Sequence, residues 1–231
     1  MADIHAFVPE SNSLSNGQVL SCDYSYDEAL VILHEMVDAL VLELVDRGVV
    51  AQSISLMVGY AKDSPASAGA GGSGTGNGKA GRADAGGGDG VGAADGTDDA
   101  DDAPSAFVGE HGVRPVNTWG VGYTGGTRKL RWRTNSRRKL LGAFDDLWEE
   151  TTRRDSAIRR MNIGFGGVLP EEMATFDLFD DIEAETQERD LQKAVIAVKE
   201  KFGKNALLKG VSLTEKATAR QRNVSVGGHH G

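Results

Sequence analysis

The sequence has a single cysteine, Cys22, so no disulfide can form within the chain and the fold must rest on burial and hydrogen bonding. One thiol also fits a reducing compartment. No apolar run approaches the roughly 18 residues of a membrane span. The opening MADIHAFVPE lacks the charged-then-apolar pattern of an export signal. These absences predict a cytoplasmic chain with no membrane partner. Large apolar groups are nearly missing from residues 62–105, where thirteen glycines sit among Ala, Ser and Asp. Such a segment buries too little surface to offset its ordering entropy, and a disordered Gly/Asp-rich insert is expected over 62–112.

Acidic side chains are missing from one further stretch. Between Thr127 and Lys139, seven of thirteen residues are Arg or Lys and none is Asp or Glu, in a chain of formal net charge −9. The acids concentrate elsewhere: seven Asp in residues 64–105, and nine acids against Arg189 alone in residues 171–190. Net charge is therefore a poor guide to partners, because the rest of the chain is near neutral and locally basic. Arg128, Leu130 and Trp132 alternate with Lys129, Arg131 and Arg133, the two-residue period of a half-buried strand. Thr134-Asn135-Ser136 then offers a helix N-cap before Leu140, Leu141, Phe144, Leu147 and Trp148. A basic strand running into a helix N-terminus favours phosphate oxygens. A solvated basic face with no ligand is the alternative.

The remaining pattern places these elements. Gly17–Tyr24 reads as a short strand, and Ser25 with Glu28 three residues on has the form of a capping box. Ala29, Leu30, Leu33, Met36, Val37, Leu40, Val41 and Leu44 then form an apolar helical stripe that Gly48 ends. Gln52–Tyr60 alternates as a strand with one buried face. Val116–Tyr123 is a further strand or a loop with Trp119 docked. Thr127–Arg133 is the basic strand, Asn135–Thr152 a helix, and Ala157–Phe165 a closing strand. Strand, helix, strand, gap, strand, helix, strand predicts an α+β fold: a split β-α-β domain with a four-stranded sheet and two helices on one face. Ser53, Ser55 and Arg160 would join the basic strand on the open face. The chain divides into a linker at 1–16, halves at 17–61 and 113–169 around the insert, a short peptide at 170–182, and a partly helical tail at 183–231 with its helix near 185–202.

Several motif matches carry no chemistry. Gly69, Gly71 and Gly74 spell GxGxxG, as do Gly120, Gly122 and Gly125, but neither set lies between a strand and a phosphate-cradling helix. The acids Asp98 to Asp102 lack the geometry of a Ca²⁺ loop. His34 has no ligand at i+4, and His229-His230 lack companions at ligand spacing, so no metal site is expected.

Four stretches carry a specific resemblance: SNSLSNGQVL at 11–20, SISLMVGY at 53–60, TRKLRWRTNSRRKLL at 127–141 and IRRMNIGFGGVLP at 158–170. Together they resemble the little-finger domain of Y-family translesion DNA polymerases, most closely the UmuC-type enzymes of Gram-positive bacteria. The block LQKAVIAVKEKFGKNALLKGVSLTEKATARQRNVSVGGH at 191–229 is similar to the tails of those enzymes. The resemblance implies a grip on primer-template DNA through phosphates, with Ser13, Ser15, Gln18, Arg128, Arg131, Arg133, Thr134, Ser136, Arg137 and Arg160 as candidate contacts. It assigns Trp132 to sheet packing before base stacking. Thr175-Phe176-Asp177-Leu178-Phe179 resembles the peptide that docks on the bacterial sliding clamp, with Thr175 in place of the usual Gln. A segment packing on its own domain is the alternative there.

The resemblance also implies a missing part. Y-family enzymes hold two Mg²⁺ ions on palm carboxylates within motifs similar to Tyr-Phe-Ala-x-x-Asp and Ser-x-Asp-Glu, and neither motif occurs here. The expectation is a DNA- and clamp-binding C-terminal region without a cofactor of its own, inactive alone, with a separate catalytic polymerase fragment as a further partner. The alternatives are a truncated remnant or regulatory protein competing for DNA or clamp, and a ferredoxin-like interaction module that binds no DNA.

Overall fold

A computed structural model describes residues 12–68, 122–177 and 180–224. Its first unit is β1 (Ser13–Tyr24), α1 (Tyr26–Asp46) and β2 (Val49–Tyr60). Ser25, in extended backbone conformation, caps α1 and exchanges hydrogen bonds with Glu28 in a capping box. The stripe from Ala29 to Leu44 is buried along the whole helix. Gly48, at φ 62°, then turns the chain back toward the sheet.

A helical turn, α2 (Pro65–Ala68), precedes the second unit, β3 (Tyr123–Thr134), α3 (Arg137–Thr151) and β4 (Ile158–Gly166). β5 (Leu169–Pro170), α4 (Ile182–Phe202) and α5 (Ala219–Arg222) complete the described chain, with 3-10 turns at Glu171–Met173 and Gly210–Leu213.

The strands order as β1-β4-β2-β3, and every pair is antiparallel. β4 lies between β1 and β2, while β2 lies between β3 and β4. The two strands of each β-α-β half are thus parallel to each other and split by a strand of the other half. α1 and α3 cover one face. Trp148 packs on Tyr26 at 5.2 Å and Phe144 meets Phe165 edge-on at 5.9 Å, above Ile54, Leu56, Val58, Met161 and Ile163. Each such side chain contributes about 2–3 kcal/mol of burial, so this layer holds the sheet flat against the helices. The architecture is the α+β arrangement expected, with one addition. Gly166 pairs with Ser53, and after Gly167 (φ 61°) Leu169 and Pro170 pair with Val50 and Val49. β5 therefore continues the register of β4.

Element boundaries differ from expectation in ways with a physical reason. β1 starts at Ser13, so Ser13 to Asn16 belong to the sheet and not to a linker. Leu14, Leu20 and Tyr24 mark its inner face, and the inward positions between the first two, Asn16 and Gln18, are polar. β2 starts at Val49, where β5 supplies a partner. The insert was expected from residue 62, yet Ser64 and Ser67 are buried, and both hydroxyls donate to the Ala61 carbonyl, at 2.7 and 2.8 Å. β3 begins at Tyr123 and α3 at Arg137, with α4 starting at Ile182 and ending at Gly203 (φ 93°). The expected disorder over 69–112, the strand or loop expected over Val116–Tyr123 as far as Val121, and the His229-His230 pair lie outside the described residues.

The tail packs against α1. Lys216 Nζ is 2.9 Å from Glu28, and Tyr24 Oη donates to the Lys216 carbonyl at 3.1 Å. The Thr218 and Ala219 N–H groups both donate to Glu35 Oε2 at 2.9 Å. Those bonds accompany the burial of Glu35, which is 4% exposed. Among the described residues no helix is long and apolar enough to cross a membrane.

Candidate nucleic-acid interface

The face of the sheet opposite α1 and α3 is set by register. Ser13, Gly166, Ser53 and Lys129 are opposite one another across four strands, and Ser15, Gly164, Ser55 and Thr127 form the next row. Gly17, Asn162, Met57 and Gly125 follow, then Val19, Arg160, Gly59 and Tyr123. Residues directly opposite share a face. These rows alternate with Leu14, Phe165, Ile54 and their neighbours, which are buried. The four rows contain no Asp or Glu.

The middle of this face carries almost no side-chain bulk. A Cβ on Gly164 would come within 2.8 Å of Ser55 Oγ, and one on Gly166 within 2.6 Å of Ser53 Oγ. Serine–glycine–serine rows therefore make a shallow trough of hydroxyls where another backbone can approach closely. Lys129, Arg131 and Arg160 are exposed around it. Among the described residues Lys129 and Arg160 have no ion-pair partner. Arg131 is 74% exposed and lies 3.4 Å from Asp177.

The sequence-predicted contacts divide by face. Ser13, Ser15 and Arg160 are brought together on the open face by register, and Arg131 is exposed beyond Lys129, where the pairing of β3 with β2 becomes irregular. Arg128 is not among them: it is opposite Ile54 and turns to α3, 2.5 Å from Glu150 and 3.6 Å from Asp146. Gln18 also faces the helices, where its amide oxygen accepts from Arg222 at 3.0 Å and Thr218 at 3.2 Å. Arg137 binds Asp38 of α1 at 2.5 Å. Thr134 is buried and accepts the Ser136 N–H at 3.0 Å. Ser136 is the N-cap of α3, but its hydroxyl donates to Glu188 at 2.8 Å and does not cap its own helix. Arg133, half-buried, sits at the end of β3 where the register with β2 shifts. Lys129 escaped the sequence reading although it shares the parity of Arg131. The alternation held the signal, but not which parity faces the helices.

Trp132 is half-buried and packs against cations, with Arg131 at 5.2 Å and Lys139 at 5.0 Å. Lys139 is held 2.6 Å from both Asp180 and Glu185. Burial works against its charge, and hydrogen bonds to those two carboxylates outweigh that effect and raise its pKa. Of the clamp-like peptide, Thr175 is tied to β3: its N–H donates to the Arg133 carbonyl at 3.1 Å, and its hydroxyl accepts the Arg133 N–H at 2.9 Å. Phe176 is 54% exposed. Leu178 and Phe179 lie outside the described residues. His34 is 2.7 Å from Asp145, and among the described residues no three His, Cys, Asp or Glu side chains converge to hold a metal.

No curated protein matches this chain. Residues 11–178 do match the C-terminal domain of the impB/mucB/samB family, a span that covers both β-α-β halves and the complete sheet. The chain belongs to that family, and these residues are the C-terminal part of a Y-family, UmuC-type DNA polymerase.

Proposed function

We propose that the open sheet face grips the sugar–phosphate backbone of primer-template DNA and so serves repair by translesion synthesis. The observation that carries this reading is the hydroxyl-lined glycine trough with Lys129, Arg131 and Arg160 around it. Hydroxyls and cations bind phosphate oxygens, and the trough has no long polar side chain to read base edges in its centre. A grip of that kind tolerates damaged templates because it does not depend on base chemistry. Its part in synthesis is to hold the substrate for a palm domain whose carboxylates bind Mg²⁺.

Fluorescence anisotropy of labelled duplexes across a salt series tests this. Duplexes of unrelated sequence should bind alike, with a log–log salt slope of about −3 for three neutralised phosphates. Salt-insensitive binding would contradict the reading. The same domain would dock on the bacterial sliding clamp through residues 175–179, using exposed Phe176 with Leu178 and Phe179 as anchors. Phe176→Ala should abolish clamp capture in a titration with purified clamp.

A further inference from the structure

The most acidic stretch of the described chain lies against its most basic one. Asp177 contacts Arg131 at 3.4 Å, and Asp180 and Glu185 hold Lys139. The Glu188 carboxylate accepts from the Ser136 hydroxyl at 2.8 Å and from the Arg138 N–H at 3.0 Å. A carboxylate from 50 residues away thus occupies the first turn of α3, the place where an outside anion would bind. Four carboxylates of one segment thus hold groups of β3 and α3, and one of them, Asp177, pairs with a cation of the proposed phosphate grip.

We propose that Asp177, Asp180 and Glu185 form an autoinhibitory acidic strap in which Asp177 competes with DNA phosphate for Arg131. This rests on the phosphate-gripping reading above. The strap backbone is fixed, with the Asp177 N–H donating to Asp180 at 2.6 Å and Thr175 bonded to Arg133, and the exchangeable part is the Asp177 side chain. Lys139, Asp180 and Glu185 have side chains only 12, 13 and 10% exposed, so that cluster is an anchor. Asp177 and Arg131 pair at the surface, where an ion pair is weak and easily exchanged. DNA phosphate displaces Asp177 from Arg131 while the anchor holds, and the strap closes again when DNA leaves.

The test is a double-mutant cycle read by duplex anisotropy, using the full chain. Asp177→Asn should tighten binding about fivefold at low salt while keeping the parent salt slope, because Arg131 meets a phosphate in both complexes and only the parent must first break an ion pair. Glu183→Gln makes the same charge change at an exposed site nearby and should leave affinity unchanged. In an Arg131→Ala background the Asp177→Asn gain should vanish. A gain that persists there, or one matched by Glu183→Gln, would reduce the effect to net charge and overturn the strap while leaving the DNA grip intact. Failure of every protein to bind duplex at low salt would overturn both readings together.

Discussion

Ser25 Oγ accepts the Glu28 N–H at 3.4 Å and Glu28 accepts the Ser25 N–H at 2.9 Å, so two donors with no helical partner are satisfied at the start of α1. Ser25→Ala should therefore cost about 1 kcal/mol, read as a lower urea midpoint. The Ser25 N–H, followed by Lys216, holds the Glu28 carboxyl below its ordinary value of 4.5. A depressed carboxyl contributes stability that is fully present above 4.5 and lost as pH falls through the lower folded value. The stability difference between the parent chain and Glu28→Gln should be constant at neutral pH and shrink in acid, as urea midpoints at a series of pH values would show. Residue identity also explains what the sequence concealed. Gln18 occupies an inward position of β1, and its acceptors are filled from the tail, by Thr218 and Arg222. No local pattern signals a partner about 200 residues away.

At the scale of elements, β3 shows where pattern reading succeeds and where it stops. Its two-residue alternation was legible, and the structure keeps it: Arg128, Leu130 and Trp132 are half-buried while Lys129 and Arg131 are exposed. Arg128 lies on the helix side, where α3 places Asp146 and Glu150 beside it, and that crossing requires knowing the fold. The capping box and apolar stripe made α1 fully readable, whereas the small polar residues of β1 hid its first four positions. β3 also depends on Gly125, whose φ of 144° and approach within 2.0 Å of the Leu56 carbonyl for an added Cβ leave no room for a side chain. Gly125→Ala should lower stability by about 2 kcal/mol or more in urea titration. Phe144→Ala removes the edge-on contact with Phe165 and should cost about 3–5 kcal/mol by the same measure.

At the scale of the molecule, charge is sorted and not averaged. The chain carries a net −9, yet the four rows of the open face hold no acid, and the acids of residues 171–190 lie beside the end of β3 and the start of α3. The two helices and the tail take Arg128, Arg137 and Gln18 into structural contacts, while Lys129, Arg131 and Arg160 are exposed. The decisive measurement compares two variants by duplex anisotropy over a salt series, with circular dichroism to confirm that each is folded. Lys129→Ala/Arg131→Ala/Arg160→Ala removes the open-face cations, while Arg128→Ala/Arg137→Ala removes the helix-side ones. The account predicts that the first variant loses most of its affinity and flattens the slope by about three units, and that the second keeps the parent slope at some cost in stability. The reverse pattern, with the slope carried by Arg128 and Arg137, would contradict the assignment of the open sheet face as the DNA grip.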